Sequence, residues 1–221
     1  MAPVFTPTQI ADLEAVLSGP RFGTYLREMA GDRDKAMQLY AWNTEISAAF
    51  YVTLQFAEVA VRNGAVEAIE IEFGPNWHLN RGFSHTLRVM RRGYQPRDDL
   101  SACARRLPTA GKVVAELKFA FWQHLFVTGQ DARLWLPHFQ TVFPGSDPAK
   151  PIPRRRTDMF DTIEKIREFR NRIAHHEPIF GRNLVEEKDR IRSVVAWRRP
   201  GSAAWLDSIE TVTGLLARRP V

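Results

Sequence analysis

The chain has 221 residues and 25.3 kDa, with 44% hydrophobic and 25% charged residues, enough to bury about 70% of the unfolded chain's surface. That composition excludes disorder and collagen, and a lone cysteine, Cys103, excludes a disulfide-stapled miniprotein, a zinc ribbon and an iron–sulfur cluster. The formal charge of +6 conceals a split: residues 1–80 carry 5 basic and 10 acidic side chains, residues 81–221 carry 26 and 15. A basic region of this kind draws attention to nucleic acid, although 25 arginines against 6 lysines is also what a GC-biased genome alone produces.

The pattern is helical almost throughout. Thr6-Pro7 opens a first helix, with proline at the first helical position, and Gly19-Pro20 stops it. A short helix follows over 21–29, and Gly31-Asp32 restarts the chain. From Asp34, Leu39, Trp42, Ile46, Phe50, Leu54 and Ala57 recur at spacings of three and four, the period of a buried helical stripe. This region runs to Phe73, where Gly74-Pro75 ends it, with a break admissible near Asn43. Its most apolar part, 48–61, is interrupted by Thr53, Gln55 and Glu58, short of the roughly 18 apolar residues of a membrane span. Residues 1–5 lack the flank and core of a signal peptide, so the expectation is a cytoplasmic protein with no membrane partner.

After a loop over 76–82 with Trp77 and His78, short basic helices are predicted over 84–94 and 97–106. A clearer helix is predicted over 112–127, with Phe119, Phe121, Trp122 and Phe126, and an aromatic segment over 131–143 is interrupted by Pro137. Four prolines make 144–153 a loop. A helix over 157–175 follows, striped by Ile163, Ile166, Phe169 and Ile173, and Pro178 stops it. Two last helices are predicted over 185–197 and 203–217. No strand alternation or internal repeat is present. The fold expected is all-α, one domain over 1–221.

Nucleotide-hydrolase, dinucleotide, α/β-hydrolase and zincin motifs are absent. His78, His85, His124 and His138 stand singly and read as packing or surface residues. One constellation remains, residues 167–178, Arg-Glu-Phe-Arg-Asn-Arg-Ile-Ala-His-His-Glu-Pro. On a helix Arg167, Asn171 and His175 form one row and Arg172 with His176 the next, while Arg170 sits at the edge of the cluster. The helix dipole favours positive charge where the two histidines lie, and the guanidinium groups oppose it. An imidazole so placed suits phosphodiester cleavage: it takes the proton of a ribose 2′-OH or protonates the leaving 5′-oxygen. An arginine beside it neutralises charge growing on the phosphorane. With the 2′-OH as nucleophile, no metal or other cofactor is required. The competing structural explanation is a charged helix end capped by histidine.

A second polar interruption, Glu58 to Asn63, lies within the longest apolar helix. There Glu58 and Arg62 are spaced to pair, and Glu58 or Asn63 is placed to orient the helix bearing Arg170.

With Tyr25-Leu26, residues 34–43, Glu58 to Asn63, the run Phe73-Gly74-Pro75-Asn76-Trp77, residues 121–126 and above all residues 167–180, nearly the whole chain resembles the Abi-like (abortive infection) family of the HEPN superfamily. The last segment holds that superfamily's arginine, four to six residues, then histidine: four residues separate Arg170 from His175, and five separate it from His176. The resemblance implies a HEPN-like helical bundle acting as a metal-independent endoribonuclease in phage defence or as a toxin. It also implies a homodimer whose motif helices face each other, and a cognate antitoxin or regulator. Arg170 and His175 would be catalytic; Asn171, His176, Glu58, Arg62 and Asn63 would support them. Arg167, Arg172 and Arg154-Arg155-Arg156 would bind RNA, for instance tRNA. The alternative from a different class is a non-catalytic RNA-binding or protein-interaction module, with Arg88, Arg91 and Arg92 also holding phosphates.

Overall fold

In the computed structural model, which describes residues 5–221, every regular element is helical and no strand occurs among the described residues. The helices are α1 (Pro7–Leu17), α2 (Gly19–Glu28), α3 (Arg33–Phe73), α4 (Arg81–Thr86), α5 (Pro96–Arg106), α6 (Ala110–Glu116), α7 (Phe119–Gln123), α8 (Leu136–Val142), α9 (Ile152–Ala174), α10 (Leu184–Arg198), α11 (Pro200–Ile209) and α12 (Val212–Leu216). None is long and apolar enough to cross a membrane. The described chain divides into two compact units. One comprises the residues up to Val52 with Arg172–Leu184 and Glu210–Val221; the other comprises Thr53–Asn171 and Val185–Ile209.

In the first unit, Thr6 and Gln9 form a reciprocal capping box at α1, as the Thr6-Pro7 signal predicts. The stop falls at Ser18, in the left-handed region (φ 67°), and Gly19-Pro20 instead opens α2. Buried Met37, Leu39, Trp42, Ile46 and Phe50 hold the first part of α3. No break occurs at Asn43. Its side chain is buried and its Oδ1 accepts the Ile179 backbone N–H at 2.9 Å, so the polar residue serves a neighbouring loop rather than interrupting its own helix. The Trp42 indole N–H donates to the Leu215 carbonyl at 2.8 Å, fixing α12. Tyr25 packs between Tyr40 and Phe180, with both ring centroids 5.1 Å away.

In the second unit, Leu54, Ala57, Val61, Ala65, Ala68 and Ile69 continue the buried stripe of α3 to its stop at Gly74 (φ 79°). Gly64 lies under the Phe143 ring, where a Cβ would approach Cζ to 2.4 Å. Gly145 lies against α10, where a Cβ would meet the Ala196 carbonyl oxygen at 2.1 Å. These two contacts lock the 143–146 turn into a core of Trp77, Phe83, Phe121, Trp122, Phe126, Trp135 and Phe139, all fully buried. Phe126 and Trp135 stack at 4.3 Å.

Four predicted boundaries are corrected. The helix over 112–127 is two, α6 and α7, with extended backbone at Leu117 and Lys118. Phe119, Phe121 and Trp122 all lie on α7, about 200° and 100° apart around it, and all three are buried, so this short helix is enclosed on more than one face. The helix over 84–94 is absent beyond Thr86 because Arg97 takes the carbonyls of Ser84, His85 and Leu87, while Gln95 clamps both backbone groups of Met90. The helix over 203–217 is split into α11 and α12, and Glu210 accepts the Thr213 N–H at the restart. Finally, α9 begins at Ile152 and not at 157, with Pro153 tolerated in its first turn, so Arg154, Arg155 and Arg156 are helical. Pro137 likewise sits in the first turn of α8, after one π-helical turn over Asp131–Trp135.

Candidate functional site at the end of α9

Along α9, Met159, Ile163, Ile166, Phe169 and Ile173 are buried, which leaves a polar edge as the spacing predicts. On that edge Arg170 is half-buried, and its guanidinium donates to Asn171 Oδ1 at 3.4 Å. Arg167 is engaged more firmly. It donates to Gln123 Oε1 at 3.0 Å and pairs with Glu164 at 2.6 Å, and the Gln123 amide closes the ring by donating to Glu164. Burial works against ionisation of Glu164, but the hydrogen bonds from Gln123 and Arg167 outweigh it and hold the carboxyl below its ordinary range.

The helix ends in the first unit. The Glu177 N–H donates to the Arg172 carbonyl at 2.8 Å and the His176 N–H to the Ile173 carbonyl at 3.0 Å, the two bonds of a Schellman cap. The left-handed residue of that cap is His176 (φ 56°), a position glycine usually fills. Its carbonyl accepts from Arg21 at 2.9 Å. Arg172 pairs with Glu177 at 3.3 Å and donates to the Pro178 carbonyl at 3.1 Å, while its Nε is buried without a hydrogen-bond partner. His175, the last residue before the turn, is exposed, as is His176.

This turn borders an open cleft of about 680 Å³ within the first unit. His176, Glu177 and Arg21 line one side, and Tyr40, Ser47 and Tyr51 of α3 line another. Tyr51 is 51% exposed and offers an open ring face. Tyr25, at the base, is pushed up to about 12 by burial, with Tyr40 adding to the shift, so it stays a neutral phenol. The cleft therefore presents one guanidinium, one carboxylate (Glu177), one imidazole, several hydroxyls and an aromatic face, a mixture that can hold one nucleotide unit with Arg21 toward its phosphate and Glu177 opposing the charge.

Sequence reasoning places Arg170 beside Asn171 and His176 at the helix end, and the structure has both there. Arg21, Tyr40, Ser47 and Tyr51 belong to no motif of the sequence. A signal existed: Tyr40, Thr44, Ser47, Ala48 and Tyr51 follow helical spacing on the face beside the apolar stripe. Of the arginines proposed for RNA, Arg154 is exposed and pairs with Asp158 at 3.0 Å, whereas Arg155 and Arg156 are each 8% exposed and turned inward. Glu58 and Arg62 are half-buried and Asn63 is exposed. The spaced pairing of Glu58 with Arg62 does not form: no ion pair joins them among the described residues, and Arg62 Nε is buried without a hydrogen-bond partner. Among the described residues, no three His, Cys, Asp or Glu side chains group as a metal site.

Compared with family models, curated proteins and solved structures, the chain matches none.

Proposed function

We propose that the protein is a metal-independent endoribonuclease of the phage-defence or toxin type, with Arg170 and His175 as its working pair. The observation that carries this reading is the exposed imidazole of His175, separated by four intervening residues from an arginine that donates to Asn171, in the arginine–histidine pattern of the HEPN superfamily. The cleft bordered by His176, Arg21 and Tyr51 supports it by offering a nucleotide-sized recess on the histidine turn. In the reaction the ribose 2′-oxygen attacks phosphorus and the bond to the 5′-oxygen breaks. An imidazole takes the 2′-hydroxyl proton, an imidazolium supplies one to the leaving oxygen, and a 2′,3′-cyclic phosphate results. A homodimer would bring a second histidine, so that base and acid need not be the same group. Arg170 neutralises the phosphorane.

Incubation with a tRNA mixture in EDTA tests this. The expected result is cleavage to cyclic-phosphate ends that His175→Ala and Arg170→Ala each reduce by about 10²-fold or more. Equal cutting by both variants overturns it, and a rate flat between about pH 5 and 9 removes histidine chemistry. A non-catalytic RNA-binding module is the second reading. It is favoured by the hydrogen bonds that make residues 172–177 a helix cap, and it predicts binding without cleavage.

A further inference from the structure

Residues 81–97 hold five arginines and no carboxylate, and the structure gives that charge a shape. After α4 the chain abandons the helix and runs as an irregular arm over 87–95. Two clamps fix the arm: Gln95 accepts the Met90 N–H at 3.0 Å and donates to its carbonyl at 2.7 Å, and Arg97 donates to the carbonyls of Ser84, His85 and Leu87 at 3.0, 2.9 and 2.8 Å. Every partner of Arg97 is a neutral oxygen, so its positive charge is positioned without being cancelled. Arg88, Arg91 and Arg92 are exposed, and no ion pair engages any of them among the described residues. Arg88 and Arg97 face a cleft of about 700 Å³, bordered by the half-buried ring of Phe160. Arg156, at the back, is already neutralised by Asp131 at 3.0 Å. The recess thus carries two guanidiniums in excess, against a single exposed guanidinium, Arg21, in the cleft at the end of α9.

We infer that this arm and cleft form a binding surface for the sugar–phosphate backbone of single-stranded RNA, separate from the histidine turn and reading no sequence. It rests on the proposal that RNA is the partner, and it names where in the second unit the strand is held. A concave recess of nucleotide size, with the half-buried Phe160 ring at its border, favours a strand over a flat anionic membrane, for which the arm's exposed Val89 and half-buried Met90 would be a small apolar anchor. Three or four phosphates spaced along the arm would meet Arg88, Arg91, Arg92 and the fixed charge of Arg97.

Fluorescence anisotropy of the full chain with a labelled 20-nucleotide RNA of mixed sequence, over a series of salt concentrations, tests the inference. The combined change Arg88→Ala, Arg91→Ala, Arg92→Ala is expected to weaken binding about tenfold or more near 0.1 M salt. It should also lower the slope of log affinity against log salt by about 2, at roughly 0.7 per lost phosphate contact. Arg133→Ala, an exposed arginine outside the cleft, should stay within about twofold of wild type. Circular dichroism melting checks that the triple variant folds. Unchanged affinity and slope overturn the inference, as does an arm that binds phosphatidylglycerol vesicles and no RNA. RNA binding through the arm without cleavage leaves this inference standing and removes the nuclease. Cleavage with affinity independent of the arm does the reverse.

Discussion

Arg155 and Arg156 on α9 and Arg88, Arg91 and Arg92 on the 87–95 arm are arginine clusters of similar size within one compact unit, put to opposite uses. Arg156 is spent indoors: it forks onto Asp131 at 3.0 and 3.2 Å and reaches Thr128. Arg155 is enclosed by the carbonyls of Lys150 and Pro148, the Gln140 amide and Ser146, which ties the proline-rich loop to the helix. The arm's arginines are left in water. A basic run therefore specifies charge without specifying its surface: the deciding residues Asp131, Gln140 and Arg97 lie on other elements, and Gln95 stands at the far end of the arm itself.

Stability separates the two clusters most sharply. Arg156→Ala strands a largely buried Asp131 carboxylate and is expected to cost about 3 kcal/mol or more, read as a shift in the urea midpoint, whereas Arg88→Ala should cost under about 0.5 kcal/mol. Equal effects would erase the distinction between inward and outward arginines. Arg155→Met removes hydrogen bonds to neutral oxygens and keeps the volume of the stem; the expected cost is about 1–3 kcal/mol. A negligible cost would show that the proline-rich loop is held without the guanidinium.

The same contrast runs through the histidine turn. His176 is placed by its backbone, in a left-handed cap position, and His175 by its exposure. His176→Gly relieves the side chain's penalty at positive φ and should raise stability by about 0.5–1 kcal/mol, measured by thermal unfolding. If His175 alone transfers the proton, cleavage survives that change. A glycine variant less stable than the parent would mean that the imidazole itself holds the turn.

Long-period features were legible from the sequence. The stripe from Leu39 to Ala57, the stop at Gly74-Pro75 and the stripe of α9 are set by residues three or four apart, so local physics suffices. The departures share a cause in side chains whose partners are non-local. Asn43 resembles a helix breaker until Ile179 is seen on its Oδ1, and a helix over 84–94 looks continuous until Arg97 takes the carbonyls of Ser84, His85 and Leu87. Of the candidate site, Arg170, Asn171 and His176 were legible because they share one helix and its cap. The tyrosines of α3 and Arg21 were not, because which face of α3 stays open depends on elements packed from elsewhere in the chain.

His124 offers the finest test, because Arg167 of α9 and Arg88 of the arm both act on its imidazole. It stacks on Tyr94 at 5.5 Å. Burial first, then the Arg167 guanidinium, push its imidazole below the usual histidine range, with Arg88 adding to the shift and Glu164 opposing it. Folding thus releases a proton that the unfolded chain binds below about pH 6.5. Stability is complete above that value and falls as the pH drops toward the folded-state value, where the loss stops growing. His78, depressed by burial, contributes in the same direction. In His124→Gln the loss between about pH 6.5 and 5 should shrink but not vanish, since His78 remains. Combining Arg88→Ala with wild-type His124 should shrink it by less, because burial and Arg167 stand ahead of Arg88 among the causes. An Arg88→Ala profile matching that of His124→Gln would mean that the arm, and not burial, governs the imidazole. The outward arginines would then be closer to the core than their exposure indicates.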